Sequence, residues 1–265
     1  MKEHKKEEEK PKTFSFLKTP ELKKTYFDMV NKKLDQKILS LKDGANAFFD
    51  LQKERVLKKL ANKAKGKLLK TKIDVSVDQI FDKEGEAELT IGFISPYLQG
   101  YLEEAGKESM DLIAPQETFS ATPAVLKRLQ KRAMDFGDSV TGTTMDKLSA
   151  TLAEGVANGE GITDLSNRVS DVYNEFSAYR SELIARTEAT AANNEGTIEA
   201  FRQSNVSNGK EWINAGDDRV REEHQDTPVG VGGEIVGLDS IFSNGLTFPQ
   251  EPNCRCVLGP AFLEK

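Results

Sequence analysis

The chain has 265 residues, long enough for one large domain or two modest ones. Its 37 Lys and Arg against 43 Asp and Glu give a net charge of -6, which excludes the global basic footprint of a dedicated nucleic-acid binder. Hydrophobic residues at 37% and charged residues at 30% suit helices with long solvated faces better than a compact β-rich enzyme, and no apolar run is long enough to span a bilayer.

Met1 to Lys12 is nearly all Lys and Glu and has no apolar core, so it is not expected to be a secretory signal. Residues 1–18 read as a charged, disordered tail. Helix is expected from Thr19, which sits as a cap before Pro20 in a first turn that tolerates it. Ala45 to Leu69 carries Phe49, Val56, Leu57 and Leu60 at helical spacing among Lys and Glu, an amphipathic pattern. Its Lys-rich end, Lys58 to Lys72, reads first as a solvated face and second as a weak, salt-sensitive contact for DNA. Ile73 to Phe81 alternates and reads as a linker or edge strand. Glu86 to Ile113 is helical again, with Gly92 and Pro96 as a candidate break. Together residues 19–120 form a helical N-terminal region expected to serve in docking.

Thr122-Pro123 is a cap followed by Pro at the first helical position, and Leu126, Leu129, Ala133 and Phe136 form the stripe behind it. Gly137 is expected to end or bend that helix. Thr143 and Asp146 have the spacing of a capping box and open the next, which runs to Asn158-Gly159. Thr163 opens a further helix with Leu165, Val169, Val172 and Phe176 on one face. A long helix rich in Ala, Glu and Arg follows from Ala178 to Ser204. After Ser204 the texture changes. Turn pairs Asn208-Gly209, Gly232-Gly233 and Asn244-Gly245 separate the short apolar runs Trp212-Ile213 and Ile235-Val236. Asn244-Gly245 fits a type I′ turn, and Pro249 and Pro252 bias the residues before them toward extended backbone. The fold class expected is mainly α with a small α+β C-terminal module: long amphipathic helices followed by short strands and ordered loops.

The C-terminal third also holds the polar residues that carry chemistry. Arg186 and Glu188 lie two apart on a helix, point in different directions and need partners elsewhere. Asp217, Arg219 and His224 are expected to join them in a polar network that pins the long helix to the cap. An enzyme would use Arg186, Glu188, Asp217 and His224 as acid, base and anion clamp. The chain shows no phosphate loop, nucleophile motif or clustered metal carboxylates, so no catalytic residue is assigned and no enzyme is expected. His224, Cys254 and Cys256 supply three zinc-type ligands, with Asp217, Asp226 or Glu223 as a fourth, although this spacing is not that of a standard structural site. The plainer reading is two small buried thiols in a short strand, with no cofactor. One intervening residue would strain a disulfide between them, which suits a reducing cytoplasm. Trp212 is expected to anchor the cap's core rather than stack on a base.

In order these residues spell Ala185-Arg186-Thr187-Glu188, Lys210-x-Trp212, Asp217-x-Arg219-Val220-Arg221-x-x-His224, Asn244-Gly245-x-x-x-Pro249 and Asn253-Cys254-Arg255-Cys256. The series resembles the phage Mu protein F-like family of minor head, or head-morphogenesis, proteins. The resemblance covers about Thr122 to Pro260, and it makes residues 121–265 the family's domain. Phe48-Phe49-Asp50-Leu51-Gln52 and Ile80-Phe81-Asp82 resemble the helical leader of the same proteins, whereas Gly230 to Leu238 holds none of the motif residues. What the resemblance implies is a structural component of phage head (prohead) assembly and DNA packaging or ejection, without catalytic residues. It would be bound to the portal protein inside the head, with scaffold or major capsid protein as further partners and no membrane. Its location would be the capsid interior near the portal, and the host cytoplasm during assembly.

Overall fold

The computed structural model describes residues 12–63, 65 and 74–264. The order of elements is β1 (Thr13–Ser15), α1 (Pro20–Lys63), α2 (Lys83–Ile113), α3 (Pro123–Ala157), α4 (Ile162–Ser204), β2 (Gly209–Ile213), β3 (Ile235–Gly237) and β4 (Val257–Leu263). Single 3-10 turns occupy Val77–Gln79 and Glu222–His224. The expected class holds: the chain is mainly helical, with a small sheet built largely from its C-terminal end.

The helix starts expected at Thr19 and Thr122 form. The backbone N–H of Leu22 donates to Thr19 Oγ1 at 3.2 Å, and that of Val125 to Thr122 Oγ1 at 3.3 Å. The expected interruptions do not. At Gly137 a Cβ would stand 2.7 Å from Ile91 Cγ1 and 3.1 Å from the Ala87 carbonyl, so this glycine lets α2 approach α3 closely instead of ending α3. Thr143 does not cap a new helix, because its hydroxyl donates to the Ser139 carbonyl at 2.8 Å, one turn back in the same helix. The two helices expected around residues 163–204 are one helix of 43 residues. Pro96 lies inside α2. Its ring removes the N–H that would bond to Gly92, and Gly92 is exposed, so water can reach the carbonyl that is left over.

Three further expectations are corrected. The alternating stretch before Phe81 is not a strand over its described residues; Val75, Val77, Ile80 and Phe81 turn into the helical core through the 3-10 turn. The tail expected over residues 1–18 contains strand β1, while residues 1–11 lie outside the described residues, as do 64 and 66–72 of the Lys58–Lys72 run. Asn244-Gly245 is not a type I′ turn, which needs two positive φ angles, since only Gly245 has one, at 84°. Instead the Gly245 N–H donates to Phe242 O at 2.9 Å and the Phe242 N–H to Leu246 O at 2.8 Å, a three-residue loop closed by a left-handed glycine.

The chain forms two compact units, and they do not divide near residue 120. One comprises Leu34–Tyr101 and Thr122–Ala192; the other comprises Met1–Lys33, Leu102–Ala121 and Asn193–Lys265. The first is helical. Phe49, Val56, Leu60, Phe81, Leu148, Leu165 and Val169 are buried in its core. A polar knot crosses it: Glu86 on α2 accepts from Gln52 Nε2 at 3.0 Å and from Arg55 Nε and Nη2 at 2.9 and 2.7 Å, and Tyr173 OH on α4 donates to Gln52 Oε1 at 3.2 Å. Gln52 is fully buried, and the mutual bonds leave both its amide ends satisfied.

The second unit carries the sheet, antiparallel in the order β1-β4-β2-β3. Trp212 pairs with Leu258, Lys210 with Val236 and Ser15 with Ala261. Alternation along β2 sorts its side chains. Trp212 enters a core of Ile198, Phe201, Val231, Phe242 and Leu258, whereas Glu211 accepts from Ser15 Oγ at 2.5 Å and pairs with Lys23.

Candidate functional site

The site lies in the second unit, where two short segments meet beneath Trp212. The first is the 3-10 turn ending in His224, whose ring stands 4.8 Å from that of Trp212. The second is Glu251-Pro252-Asn253-Cys254. Here the Cys254 N–H donates to Glu251 O at 3.1 Å, Pro252 holds the second position and Asn253 has φ of 60°. That is the pattern of a type II turn, in which Pro presets one angle and Asn tolerates the left-handed one. The turn directs Cys254 inward, and the chain then passes through Arg255 and Cys256 into β4.

Three side chains converge. His224 Nδ1 lies 3.7 Å from Cys254 Sγ and 3.8 Å from Cys256 Sγ, and all three residues are buried. The Cys256 N–H donates to Cys254 Sγ at 3.4 Å. Neither cysteine is in a disulfide. On the far side of the ring, His224 Nε2 is 2.5 Å from Glu251 Oε2, off the line of an ordinary hydrogen bond, and both atoms are otherwise without a partner. The hydrogen bond between the two thiols pulls Cys254 down against the effect of burial, with His224 adding to it, while the same thiol–thiol bond and burial push Cys256 up. Burial lowers His224, but Cys254 and Glu251 outweigh it and its net shift is upward.

Around this cluster the motif residues hold backbone. Arg255 grips Asp217 with two bonds, Nη1 to Oδ2 at 2.7 Å and Nη2 to Oδ1 at 2.6 Å, and keeps that carboxyl well below the usual range. Asp217 also accepts from the Arg219 N–H at 3.1 Å, and Arg221 donates to the Pro252 carbonyl. Lys210 is buried, donates to Leu238 O at 2.8 Å and sits 5.3 Å from the centre of the Phe242 ring. Burial draws its ammonium down to about 8. Asn244 Oδ1 accepts from the Leu246 N–H at 3.1 Å, and the Pro249 carbonyl accepts from Asn194 Nδ2 at 3.0 Å. In the helical unit, Thr187 returns its hydroxyl to Leu183 O at 2.6 Å.

The expected single network through Arg186, Glu188, Asp217, Arg219 and His224 is not what forms. Arg186 pairs with Glu182 at 3.7 Å and Glu188 with Arg132 at 2.7 Å, both inside the helical unit. Asp217, Arg219 and His224 find their partners inside the other unit. The acid, base and clamp of the enzymatic alternative are therefore each engaged separately.

Two important residues escaped the sequence reading. Glu251 is not among the fourth ligands that the sequence suggests, which are Asp217, Asp226 and Glu223; of these Glu223 lies within ligand range of His224 and Glu251. Asn194 on α4 was passed over as a helix residue, yet its Nδ2 donates to the Pro249 and Cys256 carbonyls at 3.0 and 3.1 Å and its Oδ1 accepts from the Leu258 N–H at 3.2 Å. An amide with a backbone partner for each of these bonds is a strand clamp. The signal in the sequence is the Glu-Pro-Asn-Cys turn for Glu251, and the polar run Asn193-Asn194-Glu195 inside a helix for Asn194.

The chain has a helical unit and a unit that carries a small sheet, and in the second the motif residues Lys210, Trp212, His224, Cys254 and Cys256 are buried. Residues 146–259 match the family model described as Phage Mu protein F like protein. The match begins within α3 and takes in α4, β2, β3 and the whole His224, Cys254 and Cys256 cluster. No curated protein and no solved structure matches the chain. No helix among the described residues is long and apolar enough to cross a membrane.

Proposed function

We propose that the protein is a phage head-morphogenesis protein: a minor, non-enzymatic component of the virion, docked on the portal protein inside the head. The observation that carries this reading is the family match over residues 146–259 together with the use made of the motif residues. Trp212 and Cys256 fill a core, Lys210 and Asn244 bond loop backbone, and Asp217 with Arg255 fastens the approach to β4. Residues spent on shape suit an assembly part better than a catalyst.

In this reading α1 and α2, which precede the matched residues, supply much of the docking surface. Scaffold or major capsid protein are further partners during assembly in the host cytoplasm. A weak DNA contact through Lys58–Lys72 belongs to the same picture and would fade as salt rises.

The test uses the intact chain, because residues 12–33 and 102–121 belong to the same unit as the C-terminal sheet and a truncation would damage both. Phage lacking the gene are complemented with a tagged full-length copy, and proheads are cross-linked. Cross-links to the portal protein, and defective heads when the copy is withheld, are expected. Normal infectious heads without the protein would overturn the proposal.

A further inference from the structure

Three soft or borderline donor atoms converge at the base of the cap, and their spacing is the spacing of ligands around an ion. Zinc bonds to thiolate at about 2.3 Å and to imidazole nitrogen at about 2.0–2.1 Å, so at a tetrahedral angle sulfur and nitrogen stand about 3.6 Å apart. His224 Nδ1 is 3.7 Å from one sulfur and 3.8 Å from the other. All three ligand atoms lie within 4.8 Å of one another. We infer that His224 Nδ1, Cys254 Sγ and Cys256 Sγ bind a zinc ion, whose fourth position faces the small cleft lined by Ala215, Arg219, Arg221 and Asn253 and is filled by water.

Three features of the surroundings fit an ion better than a pair of idle thiols. The Glu-Pro-Asn-Cys turn and the left-handed Asn253 turn Cys254 inward just before β4, so that its sulfur and that of Cys256 both stand beside His224 Nδ1. The Cys256 N–H already donates to Cys254 Sγ at 3.4 Å, an arrangement that stabilises a thiolate. Glu251 Oε2 stands 2.5 Å from the other ring nitrogen, the side on which carboxylates stand behind metal-bound histidines. At 2.5 Å from Nε2, Glu251 Oε2 is too close to be a second ligand of an ion on that nitrogen, since two such ligands stand about 3.4 Å apart.

The donor set selects the metal. Two thiolates and an imidazole disfavour magnesium, calcium and manganese, which take oxygen. Two thiolates also neutralise a divalent charge in a buried place. The ion would join the 3-10 turn at His224 to the start of β4, adding to the Arg221–Pro252 hydrogen bond and to the packing of both segments around Trp212.

The test is made on the purified full-length protein with Zn2+ and Co2+ alone as probes. Elemental analysis is expected to give about one zinc per chain, and cobalt titration a thiolate-to-cobalt charge-transfer band. Cys254→Ser, Cys256→Ser and His224→Ala are each expected to lose at least 100-fold in zinc affinity, and Glu251→Gln about 10- to 100-fold, in line with loss of a carboxylate behind a histidine ligand. The cobalt spectrum of the unaltered chain carries the test if a variant fails to fold. Absence of the band and of bound zinc in the unaltered chain would overturn the proposal. So would zinc retained in the double cysteine variant but lost in Glu251→Gln, because that outcome assigns the ion to Glu223, His224 and Glu251.

Discussion

Arg132 on α3 holds Glu188 on α4 with two hydrogen bonds, Nε to Oε2 at 2.7 Å and Nη2 to Oε1 at 3.1 Å. The Glu188 side chain is 9% exposed and that of Arg132 20%, so the pair is largely removed from water. Truncating Glu188 leaves a shielded guanidinium without its counter-charge. Glu188→Ala is expected to lower stability by about 2–4 kcal/mol, somewhat below the full cost of breaking a buried pair because Arg132 retains some solvent. Glu188→Gln keeps an acceptor and should lose about 1–2 kcal/mol. Urea denaturation with an unchanged m-value measures both. Equal losses for the two variants would mean that shape, not charge, is what Glu188 contributes.

Gly196 on α4 lies directly against the backbone of α2 in the second unit. A Cβ there would lie 2.2 Å from the Leu102 carbonyl oxygen and 3.1 Å from the Gly106 nitrogen, both backbone atoms that cannot swing aside. Alanine gains about 1 kcal/mol over glycine in helix propensity, but the clash is expected to exceed it, for a net loss of about 2–3 kcal/mol in Gly196→Ala. Gly142 on α3 offers the control, because nothing lies within 4 Å of its Cβ position. Gly142→Ala should stabilise by about 0.5–1 kcal/mol. Thermal melts of the two variants should shift in opposite directions.

These two sites also show what could be read from the sequence. Signals that act within one turn were legible: Thr19 and Thr122 announce their helices because a hydroxyl and an N–H three residues on are enough to make the cap. Gly137 and Thr143 misled for the opposite reason. What decides them is an α2 side chain more than forty residues away, or a competing carbonyl in the helix itself. The pairing of β1 with β4 joins Thr13 to Leu263, and no local pattern in three residues could specify it. At the site, the residue types were legible as His224, Cys254 and Cys256, but the partners of Glu188 and His224 were not, since each depends on how separate segments pack.

Lys210 gives the pH dependence a sign. Burial lowers its ammonium from 10.5 to about 8 in the folded protein. The folded state therefore releases this proton before the unfolded chain does, and between those values the unfolded state binds more protons. Stability contributed through Lys210 must rise as pH rises from about 8 toward 10.5, and the cost of burying the charge is fully present below about 8. The stability difference between the unaltered protein and Lys210→Met should move in favour of the unaltered protein across this window. A difference that stays flat, measured by denaturant midpoints at matched ionic strength, would contradict the assignment.

Trp212 is the sole tryptophan and is fully buried between His224 and Phe242, whose rings stand 4.8 and 5.1 Å from its own. Trp212→Ala is expected to cost about 3–5 kcal/mol, the range for deleting a large aromatic from a core. In the unaltered protein its emission should stay at short wavelength until the cap unfolds. A red-shifted emission in native buffer would mean that the core under β2 is open to water.

The account rests on the protein being part of the phage head, and quantitative mass spectrometry of purified proheads and mature virions tests that most directly. A few copies of the chain per particle in both are predicted, with their loss after DNA ejection if the protein leaves with the genome. Absence from both particles would contradict the account.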